Sequence, residues 1–395
     1  MKIQGFSAAA AHAGIRYKNR LDLGLIYSEV PAIAAGVFTT NRVKAAPVLL
    51  DMERLGHQGK AQAVLVNSGN ANACTGEQGM KMAKASSRIV AQQLSIDEQM
   101  IQVASTGVIG EQMSITPFEQ AVPELVQGLS PDGFDDVARA MMTTDTVPKT
   151  SYRQVDIAGT QVSILGIAKG AGMIMPDMAT MLCFVMTDAQ IIFPELHEVV
   201  RAGVEKSFNR ITIDGDTSTN DMVLVMANGA AGNKWIDEDN PEGKRIFEEA
   251  VLDIFQDLAM QIVADGEGAT KVVTVRVQGA RDEEGAMNAA QTIANSALVK
   301  TAFFGEDANW GRIIAALGRS ECYVVPEKVS IFFDDVQMVK NGVGLGDKAE
   351  EACSAVLKKD RFTVTVDLQD GLEVAEVHTC DLSVNYVKIN ADYRS

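Results

Sequence analysis

The chain has 395 residues, of which 47% are hydrophobic and 22% are charged, and its formal net charge is −17. These values exclude a disordered or collagen-like chain, and the length suggests two or three domains. An acidic chain without a dense Lys/Arg block is poorly suited to nucleic-acid backbones, so we expect no nucleic-acid partner.

Strand and helix patterns alternate along the chain. Short apolar runs that end at turns predict strands, and longer runs with helical spacing predict helices. In chain order the predicted elements are a strand at 63–69, a helix at 79–94, a strand at 101–107, two strands within 151–170, a strand at 180–189, a helix at 194–208, a strand at 221–229, a helix at 241–267, a strand at 271–279, a helix at 287–305, a strand at 328–335, a helix at 348–359 and a strand at 361–370. Asn240 is predicted to cap the helix that begins at Pro241.

This alternation predicts a mixed α/β fold, and the pattern changes near residue 280. We therefore expect a large N-terminal region, 1–280, and a smaller C-terminal α+β domain, 281–395. No internal repeat or long flexible linker is recognisable.

Cysteine usage and hydropathy indicate the compartment. The five cysteines form no C-x-x-C pair, which argues against a structural zinc site and favours a reducing, cytoplasmic compartment. The first residues lack a convincing signal peptide. The most apolar region, 161–193, is interrupted by Lys169, Asp177 and Asp188, so we expect no membrane span.

The common catalytic motifs are missing from this sequence. The four histidines are widely separated, and there is no P-loop, dinucleotide-binding glycine motif or G-x-S-x-G. Asp214, Asp216 and Asp221 in ITIDGDTSTND could suggest a magnesium site, but acidic turns are commoner than metal sites. We predict no metal, and any nucleophile must be sought elsewhere.

A threonine in KGAGMIMPDMATML, residues 169–182, is the candidate nucleophile. If the bond between Ala179 and Thr180 is cut, Thr180 gains a free α-amino group with a pKa of about 7.7, which supplies a base beside its own hydroxyl. Taken alone, Thr180 also fits an ordinary β-branched residue at the start of a strand.

The surrounding sequence resembles the ornithine acetyltransferases of arginine biosynthesis, also called bifunctional glutamate N-acetyltransferases. The resemblance covers nearly the whole chain, and its motifs occur in family order. Besides the segment above, they are NSGNANACTG (67–76), ASTGVIG (104–110), MTTDTVPK (142–149), ITIDGDTSTND (211–221), DGEGATK (265–271), DANWGRI (307–313) and YVKINADYRS (386–395). One departure is Asp177, where the family more often has Asn.

The resemblance implies a fold and a maturation step. The expected fold is the layered α/β type of the autoproteolytic aminopeptidases and ornithine acetyltransferases. The precursor would cleave itself between Ala179 and Thr180, and chains 1–179 and 180–395 would remain associated as an α2β2 heterotetramer. Asp177 lies close to this bond and could tune its cleavage.

The resemblance also implies a ping-pong reaction. Thr180 would take the acetyl group from N2-acetyl-L-ornithine and pass it to L-glutamate, which gives L-ornithine and N-acetyl-L-glutamate. No cofactor is expected, although acetyl-CoA is a candidate co-substrate. The residues do not reveal whether the enzyme uses it.

The resemblance also implies, motif by motif, which residues of this chain form the site. Thr106 and Gly107 match the oxyanion-hole pair, although alone they fit a plain turn. A larger set matches the substrate-binding positions: Thr143, Lys169, Thr180, Glu267, Asn390 and Ser395. Lys169 would meet a carboxylate and Glu267 an ammonium, and Ser395 implies that the C-terminus is held near the site.

Two rival functions stay open from the residues. One is a self-cleaving aminopeptidase or amidase of the same fold, in which water resolves the acyl-enzyme. The other is a non-catalytic binding protein for acetylated amino acids. Released acetate, as opposed to acetylglutamate, would distinguish the first rival, and an uncleaved chain would favour the second.

Overall fold

A computed structural model of the chain describes residues 2–175 and 181–392. In chain order its strands and helices are β1 (Phe6–Ala11), β2 (Leu23–Phe38), α1 (Ala46–Gln58), β3 (Lys60–Asn67), α2 (Gly76–Leu94), β4 (Ile101–Ser105), α3 (Thr116–Gln127), α4 (Phe134–Ala140), β5 (Lys149–Ile157), β6 (Thr160–Lys169), β7 (Leu182–Thr187), α5 (Phe193–Glu205), β8 (Ile211–Thr212), β9 (Met222–Ala227), α6 (Pro241–Ala264), β10 (Val272–Ala280), α7 (Glu283–Ala294), α8 (Ala297–Phe304), α9 (Trp310–Leu317), β11 (Ser330–Phe333), β12 (Val336–Lys340), β13 (Val343–Gly344), α10 (Asp347–Leu357), β14 (Arg361–Asp367), β15 (Glu373–Cys380) and α11 (Val384–Asp392). The mixed α/β prediction is confirmed.

The chain divides into two compact units. The first contains the described residues up to 209 together with 217–262, and the second contains 210–216 and the described residues from 263 onward. The sequence-based boundary at 280 follows β10, whereas the units divide before that strand, because β10 pairs with β14 and β15 of the second unit.

The first unit is built on one mixed sheet with the order β4-β3-β2-β9-β7-β6-β5, and β1 pairs with β2. A register irregularity between Tyr27 and Ala32 interrupts the long strand β2. Side chains from both halves of the sheet, such as Val66 on β3 and Phe184 on β7, share one buried core. The apolar strands β7 and β9 are buried along their whole length, as expected for parallel strands inside a sheet.

Helices cover the outer faces of this sheet. Phe118 and Leu125 of α3 join Leu65 of β3 in a second core, to which α2 also contributes. On β6, a side chain at Gly166 would lie 2.7 Å from the Ile254 side chain, so α6 packs closely there. The first unit is therefore a layered arrangement of helices around sheet strands, which positions the strand ends described below.

The second unit has a seven-stranded sheet, in the order β13-β12-β11-β14-β10-β15-β8. Helix α7 packs Ala289 and Ile293 against Val275 of β10 and Val377 of β15 in one core. The short strand β8 joins this sheet by parallel pairing with β15.

Most of the predicted elements are present, with one error. Asn240 caps α6, since its side-chain oxygen accepts the N–H of Gly243 at 3.1 Å. The single helix predicted at 287–305 is wrong: α7 and α8 are separated at Asn295 and Ser296. Ser296 is extended, and the Asn295 side chain accepts a hydrogen bond from Thr212 Oγ1 at 2.6 Å. Asn and Ser both favour helix ends over interiors.

Candidate active site

The ends of two parallel strands form the centre of the candidate site. Because β3 and β4 run in parallel, Asn67 and Ser105 lie side by side at one edge of the sheet. The Ser105 hydroxyl donates to Asn67 Oδ1 at 2.7 Å, and the N–H of Thr106 donates to the Asn67 carbonyl at 3.0 Å. The turn that follows β4 is thereby packed against the turn that follows β3.

Gly107 occupies a position in that turn that only glycine fits. Its φ is +131°, and a Cβ there would lie 2.4 Å from the carbonyl carbon of Gly69. Within the part of the chain that the structure describes, the N–H of Gly107 donates no hydrogen bond. An N–H of this kind, next to the nearly buried Thr106, is a suitable donor for an oxyanion.

Lys169, at the end of β6, connects this turn to the loop that follows α4. The side chain is 90% buried. Its Nζ donates to Thr143 Oγ1 at 2.9 Å and to Thr106 Oγ1 at 3.3 Å. The structure therefore brings together Thr106, Gly107, Thr143 and Lys169, four of the predicted site residues.

Asp145 is a buried carboxylate that contacts this group of residues. Its fully buried carboxylate lies 2.7 Å from Lys149 Nζ and 3.9 Å from Lys169 Nζ. It also accepts the N–H groups of Gly170 at 2.7 Å and Thr143 at 3.0 Å. Burial opposes ionisation, but the ammonium groups of Lys169 and Lys149 outweigh it and hold the pKa of Asp145 below its usual range. Asp145 is therefore a buried anion that fixes two lysines and two backbone segments.

In the second unit, Glu267 and Asn390 form a pair. Asn390 Nδ2 donates to Glu267 Oε2 at 2.6 Å. Tyr386, one turn earlier on α11, donates its hydroxyl to Asp214 Oδ2 at 3.3 Å. Burial and the nearby charges of Asp214 and Glu267 raise the pKa of Tyr386, so its phenol stays neutral. This unit presents a carboxylate and neutral hydrogen-bonding groups on neighbouring elements.

Some predicted positions fall outside the residues that the structure describes. These are Thr180, Ala179, Asp177 and Ser395, so the nucleophile, the cleaved bond and the C-terminal ligand remain predictions.

The sequence and fold were compared with known proteins. The ArgJ family model matches residues 7–395. The chain belongs to the ArgJ family. A curated relative from Desulfotalea psychrophila is 56% identical over the full length of both chains, and one from Geobacter sulfurreducens is 52% identical, again over both full lengths. Each is named "Arginine biosynthesis bifunctional protein ArgJ".

A crystal structure of the same-named protein from Bacillus halodurans is also similar. It is 43% identical, with a TM-score of 0.50, and the match covers 53% of this chain and 98% of that one. These similarities confirm the predicted family, its α/β fold class and an enzymatic function in arginine biosynthesis.

In this ArgJ-family chain, several residues that shape the site were not singled out from the sequence. Asp145 and Lys149 lie inside the quoted segment MTTDTVPK, and their burial could not be read from composition. Asn220, in ITIDGDTSTND, donates to the carbonyls of Ser105 at 2.8 Å and Ala71 at 2.6 Å. It thus fixes the turns after β3 and β4, a role indicated in the sequence only by its motif.

The acidic residues of ITIDGDTSTND do not form a recognised metal cluster. Among the described residues, no group of three or more His, Cys, Asp or Glu side chains could hold a metal ion. Asp221 is buried, and burial raises its pKa well above the usual range despite the hydrogen bonds of Ser218 and the charge of Lys169. Across 2–175 and 181–392, no helix is long and apolar enough to cross a membrane.

Proposed function

We propose that this chain is a self-cleaving acetyltransferase that moves acetyl from N2-acetyl-L-ornithine to L-glutamate. The observation that carries the proposal is the convergence of Thr106, Gly107, Thr143 and Lys169 at the turn that follows β4. These are the positions that the family motifs assign to the oxyanion hole and the substrate site. Family membership supports the same reaction.

Cleavage between Ala179 and Thr180 releases the α-amino group of Thr180. That amine takes the hydroxyl proton as Thr180 Oγ attacks the acetyl carbonyl carbon. The carbonyl oxygen becomes an oxyanion, which Thr106 and the N–H of Gly107 stabilise. The C–N bond then breaks, the proton passes to the departing ornithine amine, and an acetyl ester remains on Thr180.

The second half-reaction returns the enzyme to its starting state. The neutral α-amine of glutamate attacks the ester carbon, and the same donors stabilise the second oxyanion. Thr180 leaves with a proton, and N-acetyl-L-glutamate is released. Neither half-reaction requires a cofactor or a metal.

Three further features belong to this proposal. The relatives' name, "bifunctional", supports acetyl-CoA as a second acetyl donor. The cleaved chains assemble as an α2β2 heterotetramer. Five free cysteines, three of them buried, support a reducing, cytoplasmic compartment.

Intact mass under denaturing conditions tests the maturation step. We expect two chains, the second beginning Thr-Met-Leu-Cys, and cleaved protein that forms acetylglutamate from acetylornithine and glutamate. The T180A variant should neither cleave nor transfer acetyl, while T180S should retain part of both because its hydroxyl survives. Normal turnover by T180A would refute the mechanism.

The same assay separates the rivals. A self-cleaving amidase releases acetate at the same rate with or without glutamate. A binding protein remains a single chain of 42.3 kDa that acquires no acetyl label. Glutamate-dependent formation of acetylglutamate excludes both.

A further inference from the structure

The contacts of Lys169 restrict the direction in which two threonine hydroxyls can donate. A lysine ammonium carries donors and no acceptor. Since Lys169 Nζ lies 2.9 Å from Thr143 Oγ1 and 3.3 Å from Thr106 Oγ1, both oxygens must accept from it. Each hydroxyl hydrogen must therefore point away from Lys169.

Thr106 is the hydroxyl that matters for the oxyanion. Over the described ranges, its hydroxyl donates to no other residue, and neither does the neighbouring N–H of Gly107. Two adjacent donors are thus available at the end of β4. A hydrogen bond accepted from an ammonium also polarises the Thr106 hydroxyl and makes it a stronger donor.

Asp145 is placed to keep Lys169 in this position. It binds the backbone N–H that follows Lys169, at Gly170, and the backbone N–H of Thr143. Its carboxylate also faces the Lys169 ammonium at 3.9 Å. One buried side chain therefore faces the lysine and also fixes the backbone of Thr143, whose hydroxyl accepts from that lysine.

We propose that Asp145 is a positioning residue: it holds the Lys169 ammonium against Thr106, so that the Thr106 hydroxyl donates to the oxyanion of both acetyl-transfer steps. This inference rests on the proposed function and deepens it. It assigns Lys169 a role at the oxyanion hole, which differs from binding a substrate carboxylate.

A double-mutant cycle tests the proposal, with kcat expressed per mole of chain that begins at Thr180. Wild-type enzyme must first transfer acetyl, because inactive wild type would refute the proposed function and not this inference. Removing an oxyanion donor with T106V should lower kcat by about 10²–10³-fold. D145N should lower kcat by about tenfold or more, with KM changed less than about threefold.

The effect of D145N on kcat should depend on the residue at position 106. In T106S, which keeps the hydroxyl, D145N should still lower kcat about tenfold, whereas in T106V it should lower kcat by less than about threefold. Equal losses in wild type and T106V would overturn the proposal. So would a raised KM with unchanged kcat, the result expected if Lys169 only binds substrate.

Two further variants protect the test against misfolding. D188N is the matched control: Asp188 is also buried and accepts the N–H of Ser163 at 2.8 Å, but it follows the far end of β7. It should keep wild-type kcat. If D145N does not fold, K169Q replaces it in the same cycle. If T106V stays uncleaved, the kinetic constants of D145N and K169Q decide. A lowered kcat with little change in KM supports the proposal, and a raised KM with unchanged kcat overturns it.

Discussion

The backbone of Gly69 fills the space into which a side chain at Gly107 would extend. A Cβ at position 107 would lie 2.4 Å from the Gly69 carbonyl carbon and 2.6 Å from the Asn70 nitrogen. G107A must therefore displace the turn that carries both candidate oxyanion donors. We expect acetyl transfer to fall by at least about 10²-fold, as when an oxyanion donor is lost.

Gly110, in the same motif, is the matched control for G107A. Its φ is also positive, +84°, but nothing lies within 4 Å of a Cβ there. G110A should add only local backbone strain, about 1–3 kcal/mol, and retain most of the wild-type kcat. Equal loss of kcat in both variants would argue against a special role for Gly107.

The buried anion at Asp145 should contribute strongly to stability. Its removal in D145N leaves Lys149 and Lys169 without this carboxylate, and we expect unfolding free energy to drop by about 3–5 kcal/mol at pH 7. Because the folded pKa of Asp145 is depressed, this stabilisation is present above the unfolded pKa of about 3.9 and declines as pH falls. Urea unfolding at pH 7 and pH 3 measures both effects, and a difference from wild type that grows toward pH 3 would contradict them.

The carboxylate of Glu267 should decide the affinity for acetylornithine, which carries an ammonium on its side chain. E267Q keeps the shape and the contact with Asn390 but removes the charge. Losing a charged hydrogen bond costs about 1.5–3 kcal/mol, so KM for acetylornithine should rise about tenfold or more. E376Q is the control, because Glu376 pairs with Arg276 at an exposed site of the same unit. An unchanged KM in E267Q would remove Glu267 from the substrate site.

His378 should make the second unit sensitive to acid. Burial lowers its pKa and so does the charge of Arg210, while Glu376 raises it, and its Nδ1 lies 3.0 Å from Thr274 Oγ1. Below the unfolded pKa of about 6.5, His378 binds a proton in the unfolded chain more readily than in the folded chain, so stability is lost as pH falls. Between pH 7 and pH 5, the urea midpoint of H378Q should fall less than that of the wild type. Parallel pH profiles would show that His378 does not contribute.

The sequence named candidate site residues where residue type and strand position coincide. Thr106 and Lys169 each lie at the end of an apolar strand, and their family motifs named them. Asp145 was not identified because an aspartate in a polar loop usually lies at the surface. Only the folded chain shows that two lysines surround it.

The missed elements also have physical reasons. The segment FSAAAA forms β1 although alanine has little preference for strands, because pairing with β2 supplies what local propensity does not. The break between α7 and α8 lies within an otherwise helical pattern. Asn295 and Ser296 favour helix ends, and Asn295 also accepts a hydrogen bond from Thr212, more than eighty residues earlier in the chain, which no local pattern reveals.

The strand order of the first unit has a consequence for the mature enzyme. Strands β9 and β7 lie between β2 and β6, in the order β2-β9-β7-β6. Cleavage at residue 179 would assign β2 and β6 to one polypeptide and β7 and β9 to the other. The two products would then be interlocked through two ladders of main-chain hydrogen bonds. Separation would then require breaking the sheet, and refolding of the denatured, cleaved protein would be second order in protein concentration.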